Sequence, residues 1–269
     1  MGHHNRHYYG DPHCDAGVFG VPTSKANFCE EDYAFTLYLA EFVNTVTNLA
    51  YVYLALRYPR KPGTRGGTLG MDGLSLALFV LGLNSALFHA TMHQATQFCD
   101  EVSMLLLAGA LLNAVYEIDQ TPEARNLVRA AIGGVLGVVS FLYIRSSDIL
   151  FHVYAFNAMI FLVGCRTLYL IYGRGKYTRD QQCALIGQML RSIVILVASY
   201  SLWQVDLEYC AELRGMRAAL GLPLAWLLEL HGWWHIGTAW ELPEHAKRRG
   251  MDHIWRLHTG GSIATGAWG

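Results

Sequence analysis

A long apolar stretch without a charged side chain places the strongest constraint on how this chain can fold. Residues 73 to 99 contain no Asp, Glu, Lys or Arg, and a helix rising about 1.5 Å per residue crosses a hydrocarbon core of roughly 30 Å within that length. The composition agrees, because 53% of the 269 residues are hydrophobic and only 15% are charged. The sequence therefore indicates an integral membrane protein rather than a soluble globular domain.

Seven apolar segments of this kind lie along the chain, separated by connections that carry turn residues or charges. They span residues 35–57, 73–93, 100–118, 126–145, 149–172, 183–204 and 217–240. We predict an all-α fold in which these segments form a bundle of seven transmembrane helices. The predicted domain organisation is an N-terminal segment at 1–34, a transmembrane domain at 35–240 and a C-terminal tail at 241–269.

Lys and Arg are distributed unevenly between the two ends of the predicted helices. The first, third and fifth connections and the C-terminal tail hold Arg57, Arg60, Lys61, Arg65, Arg125, Arg129, Arg174, Lys176, Arg179, Lys247, Arg248, Arg249 and Arg256. The opposite side holds Arg6, Lys25, Arg145, Arg214 and Arg217. Because basic residues favour the cytosolic side, we predict a luminal or outside N-terminus and a cytosolic C-terminus.

The net charge of -1 and the scattered basic residues argue against a nucleic-acid-binding surface.

Ionisable side chains inside the apolar segments need a partner or a role, since each costs roughly 2.5–3.5 kcal/mol to insert at a helix centre. Arg191 and Glu229 are predicted to pair across the sixth and seventh helices. His231 and His235 stand one helical turn apart, so both rings can reach one ion. The residues between them are "GWW", which separates this motif from the HExxH zinc proteases. Two histidines that only hydrogen-bond within the bundle are an equal alternative for this motif alone.

A third histidine in another apolar helix favours the metal site. The stretch "NSALFHATMHQATQFCDE" contains His89, with Ser85 one turn before it and Asp100 after it. A catalytic zinc site needs three protein ligands and an open position for water, and a nearby carboxylate can accept the proton of that water. His93, at i+4 from His89, competes as the third ligand, and we prefer His89 because it lies deeper in the helix.

Four stretches in order along the chain resemble the alkaline ceramidase family, which are seven-helix intramembrane zinc amidases. They are "FCEEDYAFTLYLAEFVNTVTN" (28–48), "NSALFHAT" with "CDE" (84–91 and 99–101), "LWQVDLEYC" (202–210) and "HGWWHIGTAWE" (231–241). The resemblance implies zinc ligands at His89, His231 and His235, contact of Asp100 with the attacking water, and stabilisation of the oxyanion by Ser85. The implied reaction is hydrolysis of the amide bond of ceramide to a sphingoid base and a free fatty acid.

The resemblance also implies a calcium site in the loop before the first helix. The matching oxygen donors are Asn27, the main-chain carbonyl of Phe28, Glu30, Asp32 and Glu41, and hard oxygen ligands suit Ca²⁺. The commoner family pattern is Asp-Trp-Cys-Glu-Glu-Asn, so Asn27, Phe28 and Asp32 depart from it while the number of carboxylates is kept. An acidic loop that only caps the first helix is the alternative interpretation.

The resemblance further implies a disulfide between Cys29 and Cys210. Both are predicted to lie on the luminal face, where disulfides persist, and Cys14 and Cys99 are competing partners on that face. The family likeness points to the endoplasmic reticulum or the Golgi membrane and to a membrane lipid as substrate.

Two other classes of protein remain as alternatives. One is a heptahelical receptor of the adiponectin-receptor kind, which shares a three-histidine zinc site but places its N-terminus in the cytosol. The other is a metal transporter, which needs ligands along a path through the bilayer. The sequence does not distinguish ceramide, dihydroceramide and phytoceramide as substrates, and it identifies no protein partner.

Overall fold

The computed structural model describes residues 13–57 and 71–247, with side chains described up to residue 240. This part of the chain is helical and contains no β-strand, as predicted. Its α-helices are α1 (Phe42–Thr47), α2 (Leu49–Arg57), α3 (Gly73–Thr91), α4 (Gln94–Tyr116), α5 (Pro122–Ser146), α6 (Ile149–Leu168), α7 (Arg179–Glu208), α8 (Cys210–Leu220) and α9 (Leu230–Lys247). Residues 1–12, much of the first predicted connection and the tail from 248 onward lie outside the described residues.

Five of these helices are long and apolar enough to cross a membrane. They are α3, α4, α5, α7, and α6 together with the π-helical turn Tyr169–Gly173 that continues it. Five such helices in the described residues fit a multi-pass membrane protein. The short α1 and α2 and the more polar α9 are not among the five, so the count of seven spans stays a prediction.

The last predicted span, residues 217–240, is wrong as a single helix. α8 ends at Leu220, Gly221 adopts a positive φ of 65°, and Pro223 follows before a 3₁₀ turn at Leu224–Leu228. Gly and Pro in this order terminate helices, because Gly tolerates a left-handed conformation and Pro cannot continue the hydrogen-bond ladder. α9 therefore begins only at Leu230, which places His231 in its first turn.

The first predicted span begins later than expected: its helix starts at Phe42 and not near residue 35. The preceding residues run antiparallel to the end of α3: the N–H of Ala40 donates to Ala90 O at 2.9 Å, and the N–H of Glu41 donates to His89 O at 3.0 Å. These hydrogen bonds fix the loop before α1 directly on the turn of α3 that carries His89.

The predicted ion pair between Arg191 and Glu229 is also wrong. Arg191 is exposed on α7, whereas Glu229 Oε1 accepts from Arg217 Nη1 at 2.5 Å and both side chains are buried. The 3₁₀ turn brings the end of α8 back to the start of α9, so the closer basic residue becomes the partner.

Packing between helices brings α3 and α9 to the same place. α3 packs against α4 and α2, and α9 packs against α7, α2 and α1. α7 and α9 approach closely at Gly237, where an added Cβ would lie 2.0 Å from Ser199 Oγ and force that side chain to move. The α1–α2 segment thus lies between two helices that each carry predicted zinc ligands.

Candidate metal centre

Three histidines converge in the interior, at the junction of α3 and α9. His89 lies in the last turn of α3, and His231 and His235 lie one turn apart at the start of α9. One ring nitrogen from each lies within 4.8 Å of the others, and the three residues are 1%, 4% and 3% exposed. Within the described part of the chain, no other trio of His, Cys, Asp or Glu residues approaches this closely.

Two of the three rings are held through Nδ1 in a way that suits metal ligation. His89 Nδ1 contacts Glu41 Oε2 at 2.5 Å, and His235 Nδ1 contacts Thr47 Oγ1 at 2.9 Å. His231 Nδ1 is buried without a hydrogen-bond partner. Metal-binding imidazoles commonly engage a carboxylate or hydroxyl through the second nitrogen, which fixes the ring and leaves the first nitrogen to the ion. The donor set and its supports therefore fit Zn²⁺.

His93 does not join this cluster. It is the residue that precedes α4, and its Nε2 contacts the carbonyl oxygen of Phe19 at 2.9 Å. The chain reverses direction after His89, since Met92 adopts a positive φ of 48°, so the i+4 spacing that made His93 a competitor no longer applies.

Asp100 and Ser85 contact each other across α3 and α4. α4 begins at Gln94, earlier than predicted, so Asp100 lies in its second turn and is 8% exposed. The Ser85 hydroxyl lies beside the Asp100 carboxyl, and Asp100 Oδ1 is buried without a hydrogen-bond partner. A buried carboxylate oxygen without a hydrogen bond is costly and points to a missing donor such as a water molecule or a substrate group.

The loop before α1 contacts the histidine cluster. The Phe28 ring stacks on His231 with centroids 3.8 Å apart, and the Phe28 N–H donates to Glu41 Oε1 at 3.3 Å. Glu41 is fully buried and its other oxygen accepts from Asn44 Nδ2 as well as contacting His89. One carboxylate thus touches both the loop and a histidine of the cluster.

The five residues of the predicted calcium site are all buried near this loop. Both oxygens of Glu30 accept from main-chain N–H groups at the start of α1, those of Val43 at 2.6 Å and Asn44 at 2.8 Å. Glu30 therefore caps α1, as the alternative interpretation predicted. Its carboxylate does not form a close metal-ligand trio with those of Asp32 and Glu41.

The buried carboxylates and an amide oxygen without a hydrogen-bond partner in this loop nevertheless suit the binding of a hard cation. Burial and then the nearby Glu229 carboxylate raise the pKa of Glu30 to about 8, against hydrogen bonds that lower it. Asn27 donates through Nδ2 to Asp32 Oδ2 at 3.2 Å, while its Oδ1 is buried without a partner. Buried carboxylates that repel one another are stabilised by a bound cation, and these donors are those that Ca²⁺ prefers.

Cys29 and Cys210 form a disulfide that joins the loop to the start of α8. This is the pairing that the resemblance implied. Cys14 and Cys99, the competing candidates, are free thiols.

Three residues around the cluster were missed by the sequence analysis: Thr47, Tyr51 and Asp206. The Tyr51 ring packs against His235 with centroids 6.3 Å apart, and its hydroxyl contacts Thr238 Oγ1 at 2.5 Å. Asp206 is fully buried at the end of α7 and accepts from the N–H of His231. Asp206 could have been found, because it is a carboxylate inside the quoted "LWQVDLEYC" stretch, whereas Thr47 and Tyr51 carry no signal beyond ordinary helix patterning.

The fold and the site define a multi-pass helical membrane protein with a buried three-histidine centre beside a carboxylate. A family model described as Ceramidase matches residues 20–245, and the chain belongs to the ceramidase family. Among curated proteins it is 28% identical to mouse alkaline ceramidase 3, over 82% of this chain and 81% of that protein. It is 30% identical to yeast alkaline ceramidase YPC1, over 82% and 74% respectively, and 25% identical to the alkaline ceramidase of Drosophila melanogaster, over 80% and 72%.

Proposed function

We propose that this chain is an intramembrane ceramidase that hydrolyses the amide bond of ceramide to a sphingoid base and a free fatty acid. Membership of the ceramidase family supports the substrate class. The convergence of His89, His231 and His235 in the interior is the observation that supports zinc-dependent chemistry. When bound, Zn²⁺ would polarise the amide carbonyl and make a water molecule nucleophilic near neutral pH.

The protein's own groups around this centre have separate tasks. Asp100 Oδ1 lacks a partner, so it can accept the proton of the attacking water and return it to the leaving amine. The Ser85 hydroxyl lies beside Asp100 and can turn to the oxygen on which negative charge develops. Glu41 and Thr47 hold the rings of His89 and His235 in place.

We propose a seven-span arrangement for the membrane domain, with the N-terminus luminal and the tail cytosolic. Together α1–α2 and α9 would supply the two spans beyond the five apolar helices. The contact of Lys25 Nζ with Ser147 O at 3.0 Å and the Cys29–Cys210 disulfide place the N-terminal loop, the α5–α6 turn and α8 at one end. A luminal end accounts for a stable disulfide there, and the endoplasmic reticulum or Golgi membrane is the proposed location.

The proposed activity predicts zinc-dependent release of sphingoid base. Purified protein in mixed lipid–detergent micelles should hydrolyse at least one of ceramide, dihydroceramide and phytoceramide, and a zinc chelator should abolish this release. Readdition of Zn²⁺ should restore it, because three buried histidines rebind the ion. No release from any of the three lipids would overturn the proposal, as would full activity at a metal content below one ion per ten chains. A receptor or a transporter is the conclusion if zinc binds stoichiometrically without any amidase activity.

We further propose that Ca²⁺ binds the loop through Asn27, the carbonyl of Phe28, Glu30, Asp32 and Glu41. Calcium should raise the thermal midpoint of the wild-type chain, because a ligand that binds only the folded state stabilises it. Asp32→Asn should weaken this effect by roughly tenfold in calcium concentration, since one charged ligand is lost.

The adjacent Glu31 provides a matched control for the calcium prediction. Its side chain is 41% exposed and lies 3.9 Å from Arg214, outside the proposed ligand set. Glu31→Gln should therefore keep the wild-type calcium response, measured by thermal unfolding across a calcium titration. An unchanged midpoint in wild-type protein at millimolar Ca²⁺ would rule out the site.

A further inference from the structure

A fully buried carboxylate at the end of α7 contacts two separate segments of the site. Asp206 Oδ2 accepts the N–H of Cys29 at 3.1 Å, and Oδ1 accepts the N–H of His231 at 3.4 Å. The N–H of Leu230 lies near this carboxylate and interacts with it electrostatically. Asp206 is 0% exposed, so these main-chain groups replace the water that the carboxylate would otherwise bind.

The hydrogen bond from the His231 N–H makes Asp206 an N-terminal cap of α9, provided by another helix. The first N–H groups of a helix have no partner within it, and a carboxylate there also interacts favourably with the helix dipole. The preceding residue, Glu229, does not cap this turn: its Oε1 accepts from Arg217 at 2.5 Å, and its Oε2 has no hydrogen-bond partner. The position of the first turn of α9 therefore depends on α7.

The same carboxylate fixes the loop that covers His231. Cys29, which donates to Oδ2, follows Phe28, and the Phe28 ring stacks on the His231 ring at 3.8 Å. His231 is consequently held on two sides, through its own N–H and through its stacking neighbour. Its Nδ1 has no other hydrogen-bond partner, in contrast to His89 and His235, whose Nδ1 atoms are engaged by Glu41 and Thr47.

We propose that Asp206 is the positioning residue for His231: it holds the backbone of this histidine and the loop stacked on it, and thereby completes the three-histidine centre. This inference rests on the proposed zinc site. It assigns to a main-chain contact the role that Glu41 and Thr47 perform for the other two rings.

The test compares zinc binding in Asp206→Ala, Asp206→Asn and wild-type full-length protein purified in detergent. Zinc affinity is measured by competition with a chelator of known affinity, and site geometry by the visible absorption of the Co²⁺-substituted protein. Asp206→Ala should weaken zinc binding by roughly tenfold or more, the scale for loss of a group that orients a ligand. Asp206→Asn keeps one oxygen acceptor, so it should fall between Ala and wild type and partly restore the Co²⁺ spectrum. kcat should fall more than KM rises.

Leu105→Ala controls for a general loss of stability. Leu105 is fully buried on α4 within a separate apolar cluster, so its truncation should lower the thermal midpoint and leave zinc affinity and the Co²⁺ spectrum unchanged. Wild-type affinity and spectrum in folded Asp206→Ala would overturn the positioning role alone, and if that variant does not fold, the same result in Asp206→Asn would do so. A wild-type chain that binds no zinc would overturn the proposed metal centre itself.

Discussion

Replacing Asp100 with Asn is expected to leave zinc bound while ceramide hydrolysis falls by roughly 10²–10⁴-fold, the usual contribution of a general acid–base group. The amide keeps the size of the carboxyl beside Ser85 but cannot accept a proton from water. Asp100 Oδ1 is buried without a hydrogen-bond partner, so it is open to a proton donor. Zinc content by metal analysis and single-turnover release of sphingoid base measure the two effects separately.

Glu101 supplies the matched control for Asp100. It is the next residue of α4 and is equally buried. One oxygen accepts from Gln97 Nε2 at 2.9 Å, and the other, like Asp100 Oδ1, has no hydrogen-bond partner. Glu101→Gln makes the same chemical change one position away and should retain activity within about tenfold, far less than the loss of a general base. Equal losses of hydrolytic activity in Asp100→Asn and Glu101→Gln would show that the activity depends on a buried carboxylate in general and not on proton transfer by Asp100. Wild-type activity in Asp100→Asn would exclude the mechanism.

The histidine cluster was predictable because polar groups inside apolar helices are costly. His231 and His235 share a helix face through their i, i+4 spacing, which local geometry alone determines. The structure adds that His89 meets them, an event that depends on how α3 and α9 pack. Sequence reasoning reached this third ligand only through the placement of a histidine in a charge-free helix and through a family resemblance.

The predicted helix boundaries were wrong where the hydropathy indicates a continuous helix but Gly and Pro residues indicate a break. The window 217–240 is apolar enough to predict one helix, yet Gly221 and Pro223 divide it into α8 and α9. The predicted ion pair between Arg191 and Glu229 was wrong for the same reason. A single unbroken helix leaves out the turn that brings Arg217 to Glu229. Reading the Gly and Pro residues before the hydropathy would have corrected both.

The supporting contacts of the site could not be derived from the sequence. Glu41 was expected to bind calcium, but it also contacts His89 Nδ1, and Asp206 had no predicted role although it caps α9. Each contact joins residues far apart in the chain, so it depends on the final packing of several helices. Local patterns specify that a buried carboxylate needs a donor, but they do not specify which one.

Replacing His89 with Gln is expected to remove zinc and reduce hydrolysis by more than roughly 100-fold, the upper end of what loss of an outer-shell partner costs. Gln is chosen because it is close to His in size and keeps a polar amide near the buried Glu41 carboxylate, which contacts His89 Nδ1 in the wild-type chain. Loss of function then reports the missing ligand rather than an unpaired charge. Zinc per chain and hydrolysis should fall together.

His93→Gln is the matched variant that tests which histidine of "HATMH", His89 or His93, is the third zinc ligand. The ring of His93 contacts the carbonyl of Phe19 and not the cluster, so this variant should keep one zinc per chain and wild-type hydrolysis. The reverse outcome, with zinc lost from His93→Gln and kept in His89→Gln, would show that the α3–α4 turn rearranges when the ion binds. The left-handed conformation of Met92 between them orients His89 toward α9 and His93 toward the N-terminal loop. The backbone at one residue therefore determines which histidine completes the centre.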